Sequence, residues 1–135
     1  MKARFPQFVV VALCLLIAPL ALAQDKPQGT KLTGAELTQL LTPSVLLVGR
    51  SMMYGTTFAN AYVRGGNLFQ VYTDPLGNGD QTKGKWHVSG DTLCTTLPLQ
   101  PERCANYYKL DDGSYEVRSV PEGKLVAKFR AFRPD

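Results

Sequence analysis

The sequence predicts an all-β protein: an antiparallel meander of about eight short strands, closed into a small barrel or a strongly curved half-barrel, with one short N-terminal helix. Three observations predict it. Short runs rich in β-branched and aromatic residues recur from Val45 to Phe132. Glycine-containing turn pairs punctuate them at Gly65-Gly66, Gly90-Asp91 and Asp112-Gly113. No helical periodicity of any length follows the first such segment.

The first segment is read as a secretory signal. Lys2 and Arg4 precede an uncharged apolar run from Phe8 to Ala23, which closes on Ala21-Leu22-Ala23. Pro19 interrupts the run, and it is shorter than the roughly 20 residues a membrane-spanning helix needs. Lipidation at Cys14 is disfavoured by the bulky Leu13 before it and by its depth in the run. Residues 1–23 are therefore the expected signal peptide, 24–32 a flexible leader and 33–135 a single β domain. No membrane span is expected after cleavage. Removing Lys2 and Arg4 leaves 13 basic against 11 acidic residues, a net charge of +2. The cations are dispersed apart from Lys128, Arg130 and Arg133, so no nucleic-acid footprint is predicted.

Along the mature chain, Thr33 followed by Glu36 is a capping box, and Leu37, Leu40 and Leu41 share one helical face. The predicted helix is Gly34–Thr42, ended by Pro43 and lying against a sheet. The run 45–49 is continuously apolar and has strand chemistry. Strands 57–64 and 67–73 flank Gly65-Gly66. Pairing Val63 with Leu68 leaves both faces of that hairpin largely apolar: Ala59, Ala61, Val63, Leu68 and Tyr72 with Gln70 on one, and Phe58, Tyr62, Phe69 and Val71 with Asn60 on the other. Either the helix covers the outer face, closing on Ala59 and Ala61, or that face is open and binds something.

Next, "KWHVS" and "TLCTT" flank Gly90-Asp91, where glycine in first position suits a type II′ turn. For the hairpin at Asp112-Gly113, a two-residue loop sets Leu110 against Tyr115 and Tyr108 against Val117 on an apolar face. Lys109 then meets Glu116, and Tyr107 meets Arg118, on the other face. A last strand, 124–132, follows Pro121-Glu122-Gly123.

With Cys14 in the signal, Cys94 and Cys104 remain, an even pair in an exported chain, and a disulfide is expected. A ring of this size stabilises by about 2.8 kcal/mol in the chain-entropy view. The alternatives are a redox pair, for which C-x-x-C spacing is missing, or a metal site, which needs further ligands. Strand parity places Cys94 with His87 but Cys104 with Tyr108 and Leu110, a conflict that demands a bulge or a frayed strand end near Cys104.

No catalytic constellation is predicted. His87 is the one histidine, expected on the surface, and its neighbour Cys94 is spent in the disulfide. Hydrolase, phosphate-binding and dinucleotide fingerprints are missing from the sequence, and no cofactor or metal is predicted. Asp74, Asn78 and Asp80 are too few oxygens for calcium and read as turn chemistry. The aromatic residues carry the functional expectation. Phe58, Tyr62, Phe69, Tyr72 and Trp86 are the predicted contact residues for a small apolar ligand or a partner protein. The expected role is a non-catalytic binding or interaction protein of the periplasm or secreted space. The alternative is an inhibitor of an enzyme such as a wall-degrading hydrolase, inserting the loop 74–83.

The pattern Gly84-x-Trp86-x-Val88-x-Gly90-Asp91-x-Leu93-Cys94, then Cys104, then Gly113-x-Tyr115, resembles a motif of a functionally uncharacterised family of small exported alphaproteobacterial proteins. The resemblance covers roughly a third of the mature chain. It implies a periplasmic or secreted β domain and brings no catalytic residues. "GKW" is also similar to the lipocalin G-x-W, but there it lies on the first strand and here on about the fourth, so no lipocalin function follows.

Overall fold

In the computed structural model, residues 26–42 and 44–133 are described. The expected signal segment and Pro43 lie outside them. Nine strands and one helix follow in order: β1 (Thr30–Lys31), α1 (Gly34–Leu41), β2 (Val45–Ser51), β3 (Thr57–Val63), β4 (Asn67–Thr73), β5 (Gly79–Ser89), β6 (Thr92–Thr96), β7 (Arg103–Lys109), β8 (Tyr115–Ser119) and β9 (Leu125–Phe132). β2 to β9 pair consecutively, each antiparallel to the next. β9 returns to β2, which closes an eight-stranded barrel. The predicted meander is present, and the choice between barrel and half-barrel falls to the closed form.

The extra strand has a simple cause. β6 is short and pairs only with the start of β7. The end of β7 is left with an open edge, and Thr30 and Lys31 pair there with Lys109 and Tyr108. Part of the expected leader is thus built into the sheet. Two inward-facing glycines let strands bend at barrel corners. A Cβ on Gly49 would collide with the Lys128 carbonyl, and one on Gly84 with that of Thr96.

Helix α1 has the predicted capping box, with Thr33 Oγ1 accepting from the Glu36 amide and the Glu36 carboxylate accepting from the Thr33 amide. Its N-terminus sits on the β5–β6 turn. The Gly34 amide donates to Asp91 Oδ1 at 2.7 Å, and any side chain at Gly34 would collide with the Gly90 carbonyl. Near its other end, Arg133 donates to the carbonyls of Gln39 and Leu40. The helix therefore lies across one end of the barrel, and Leu37, Leu40 and Leu41 enter the core with Leu47, Tyr62, Leu68, Leu93, Tyr107 and Phe129. It packs on β5 and β6. It does not reach Ala59 and Ala61, where the sequence reading placed its approach.

Two hairpin registers differ from expectation by one residue. The Gly90-Asp91 turn is a two-residue loop as predicted, with Ser89 facing Thr92 and only its glycine at positive φ. The other two have three residues at the turn. Val63 faces Asn67 across Arg64-Gly65-Gly66. Lys109 faces Tyr115, with Leu110 and Ser114 hydrogen-bonded across Asp111-Asp112-Gly113. Gly113 takes the left-handed position (φ 82°) that a three-residue turn needs in its last place. Asp112 Oδ1 accepts from the Ser114 amide and anchors the turn. In consequence Tyr107 faces Val117, Tyr108 faces Glu116 and Asn106 faces Arg118. The predicted Lys109–Glu116 and Tyr107–Arg118 pairs do not form.

The corrected register also removes the cysteine conflict. Tyr107, not Tyr108, points into the core, so Cys104 points outward with Tyr108. Cys94 and Cys104 are directly opposed on β6 and β7, with Cα atoms 4.0 Å apart, and their disulfide lies on the outer wall. No bulge is required at Cys104. The bulge in this region falls instead between β8 and β9, at Val117/Arg118.

Candidate functional site

The structure divides the five predicted contact residues. Phe58, Tyr62, Tyr72 and Trp86 face the barrel interior, and Phe69 faces outward. Tyr62 is buried, meets Trp86 edge-on at 6.0 Å between ring centres, and receives a hydrogen bond from Asn60 Nδ2, which is held in turn by Gln70. Burial raises the hydroxyl pKa of Tyr62, and it raises that of Tyr107 further. Trp86 donates its ring N–H to the Val63 carbonyl at 3.1 Å, pinning β5 to the end of β3. Tyr62 and Trp86 are thus wall-to-wall packing at the helix end of the barrel. Phe58 and Tyr72 form a half-buried cross-strand pair near the opposite end.

The β3–β4 hairpin settles into an unexpected sorting. Its inward face carries Asn60 and Gln70 among its aromatic residues. Its outward face carries Ala59, Ala61, Val63, Phe69 and Val71. The helix does not cover that outer face. Of the two readings open at the sequence level, the structure has the uncovered one. The patch extends through the ladder: Phe132, Leu46, Ala61 and Phe69 form one cross-strand row, and Val48, Ala59 and Val71 form the next. Leu46, Val48, Phe69, Val71 and Phe132 are each 39–53% exposed. This is a contiguous apolar surface over four strands, the kind that marks an interaction site.

Its surroundings are cationic. The outward positions of β9, β2, β4 and β5 include Lys128, Arg130, Arg50, Lys83 and Lys85, of which Lys128 and Arg130 reach carboxylates at the rim, Glu116 at 3.8 Å and Asp112 at 3.5 Å. Lys83 Nζ lies 5.7 Å from the centre of the Phe69 ring. On the β5 side the stripe runs into a groove of about 390 Å³ between Phe69, Lys83, Lys85 and the Leu97-Pro98 segment. Apolar floor and ammonium walls occur together there.

The other exposed large apolar residues sit one or a few to a turn, at the barrel end away from the helix: Met52, Met53, Tyr54, Leu76, Leu99 and Val120. The segment 74–83, expected as a protruding inhibitory loop, is a tight turn over 74–78 and then strand. Asp74 Oδ1 accepts from the amides of Leu76 and Asn78, and Oδ2 from the Asn78 side chain. These bonds lower the Asp74 pKa and occupy the oxygens a cation would need.

His87 is exposed, as expected, and directly opposite Cys94. Its Nδ1 lies 3.9 Å from Glu102 Oε2. Both cysteine sulfurs are held in the disulfide, which leaves this corner without a nucleophile. Sequence reasoning missed Leu46, Val48 and Phe132 as surface residues, because 45–49 is a continuous apolar run with no alternation and the pairing of β9 with β2 has no local signal. It also missed Glu116 and Arg118 as buried ones. Among the described residues no helix is long and apolar enough to cross a membrane. Compared with protein-family models, with curated proteins and with solved structures, the chain matches none.

Proposed function

We propose that this chain is an exported, non-catalytic interaction protein that docks a partner protein on the outer face of β9, β2, β3 and β4. The observation that carries this reading is the uncovered apolar stripe Phe132–Leu46–Ala61–Phe69, with Val48 and Val71 beside it, on a face that carries Arg50, Lys83 and Lys85. Apolar area supplies the affinity, and the cationic surround selects the partner. The fitting partner presents one or two apolar side chains flanked by aspartate or glutamate. A second copy of this chain would set like charges against one another, which disfavours self-association. A small ligand held inside the barrel has less support, because Tyr62, Trp86, Leu68, Tyr107 and Phe129 fill the interior at the helix end. The disulfide on the outer wall supports an oxidising compartment, the periplasm or beyond.

Selection of a displayed random-peptide library on the mature chain tests the reading. Enriched peptides should combine an aromatic or aliphatic residue with acidic neighbours. Their affinity should fall at least tenfold for Phe69→Ser with Val71→Ser, and should weaken with added salt. Peptides of no common charge, or binding unchanged by those substitutions, overturns the proposal. A concentration-dependent dimer abolished by the same substitutions would identify a second copy as the occupant and overturn it as well.

A further inference from the structure

We propose a second site, unrelated to the apolar stripe: His87, Cys94, Cys104 and Glu102 form a binding site for zinc or a zinc-like divalent ion, closed by the disulfide and opened by its reduction. The ladder brings the ligands together. β5–β6 pairing sets His87 against Cys94, and β6–β7 pairing sets Cys94 against Cys104, all on the outward face. Glu102 enters from the residue before β7. Its Oε2 lies 3.9 Å from His87 Nδ1, and its Oε1 lies 3.9 Å from Cys104 Sγ. Ligand atoms of His87, Cys94 and Glu102 fall within 4.8 Å of one another. With metal–sulfur bonds of about 2.3 Å and metal–nitrogen bonds of about 2.0 Å, donors around a tetrahedral ion stand roughly 3.3–3.8 Å apart, so His87 and Glu102 close in by about 1 Å while the two sulfurs, once their bond is broken, move apart. Side-chain rotation supplies that without moving the strands.

Two sulfurs, one imidazole nitrogen and one carboxylate oxygen match zinc and its spectroscopic substitute cobalt(II), and do not match calcium or magnesium. The disulfide is the gate, because its sulfurs carry no thiolate charge and hold each other. A dithiol reductant opens it. Two electrons pass from the dithiol to the Cys94–Cys104 bond, the dithiol becomes a cyclic disulfide, and both cysteines gain protons. The metal ion then displaces those two protons on binding. His87 and Glu102 side chains are about half exposed and Cys94 is buried, so an ion approaches from solvent by way of His87 and Glu102.

Cobalt(II) titration tests the site in the mature chain, reduced with a dithiol and freed of it under inert gas. The reduced protein should bind one cobalt with tetrahedral d–d absorption and a thiolate-to-cobalt charge-transfer band, and the oxidised protein should show neither. His87→Ala and Glu102→Gln change exposed side chains and leave the fold in place. Each should weaken binding tenfold or more, and Cys94→Ser with Cys104→Ser should abolish the charge-transfer band. Failure of the reduced protein to develop that band overturns the proposal, as does equal affinity in the His87→Ala and Glu102→Gln variants. Circular dichroism of the reduced chain keeps the result readable: strand signal lost and not restored by cobalt also counts against the site.

Discussion

β4 and β8 stand on different sides of one barrel and are covered in opposite ways. β4, Asn-Leu-Phe-Gln-Val-Tyr-Thr, puts Leu68 into the core and leaves Phe69 and Val71 in water. β8, Tyr-Glu-Val-Arg-Ser, puts Tyr115 and Val117 into the core and buries Glu116 and Arg118 on its outer face. The charged wall is therefore covered and the apolar wall is bare. The cover over β8 consists of particular groups. Arg118 donates to the Lys26 carbonyl of the leader, to the Gly123 carbonyl and to Glu116, and Glu116 Oε1 lies 3.8 Å from Lys128 Nζ. A buried ion pair of this kind is poor as a source of stability compared with apolar packing. It serves better to fix where the leader lies. The bare wall beside it has no such cover, although apolar area there would gain most from one, and that contrast is the reason for assigning it to a partner.

The comparison breaks most visibly at Arg118. Arg118→Ala should cost about 3 kcal/mol in urea unfolding, since buried Glu116 loses its guanidinium partner and keeps only Lys128. The double change Glu116→Leu with Arg118→Met should recover most of that loss. Of comparable size is a change on β4. Leu68→Ala should cost about 2–5 kcal/mol, the range for a buried leucine. Starting the chain at Thr33 removes β1 and the Lys26 carbonyl. A loss of about 1–3 kcal/mol is expected, with amide exchange accelerated in β7 and β8 while β3 and β4 keep their protection. The smallest effect sharpens the contrast. Phe69→Ala, one residue from Leu68, should stay within about 0.5 kcal/mol of the parent while removing partner binding.

Much of this architecture was legible from residues alone. The helix, its cap and its three leucines followed from spacing, and the meander followed from turn chemistry. The two-residue loop at Gly90-Asp91 was readable because its pattern has one fitting turn. Asp112-Gly113 and Gly65-Gly66 were not, for a physical reason. The same dipeptide can fill a two-residue loop or complete a three-residue one, and side-chain alternation decides only where the faces differ in polarity. Around Gly65-Gly66 both faces are apolar, and on β7 the adjacent Tyr107 and Tyr108 are equally fit to face inward, so alternation did not fix either pairing. The signal that something was wrong lay in the two cysteines, whose parity disagreed until Tyr107 replaced Tyr108 as the inward residue. Phe69 was among the residues expected to make contacts, and it lies on the exposed outer face. Leu46, Val48 and Phe132 were not, because their row exists only once β9 returns to β2, and no local pattern announces that pairing.

That return has a kinetic consequence. β2 is the first barrel strand made, and its partner β9 is the last, so the ring cannot seal until nearly the whole chain has been delivered. Pairings between distant segments are slow to form. In the interval β2 keeps one edge open along Val-Leu-Leu-Val, a stretch with high strand preference and no charge, the type that recruits other chains. The growing chain therefore carries its most adhesive stretch ahead of the strand that will hide it, and a holding chaperone would find its first grip there.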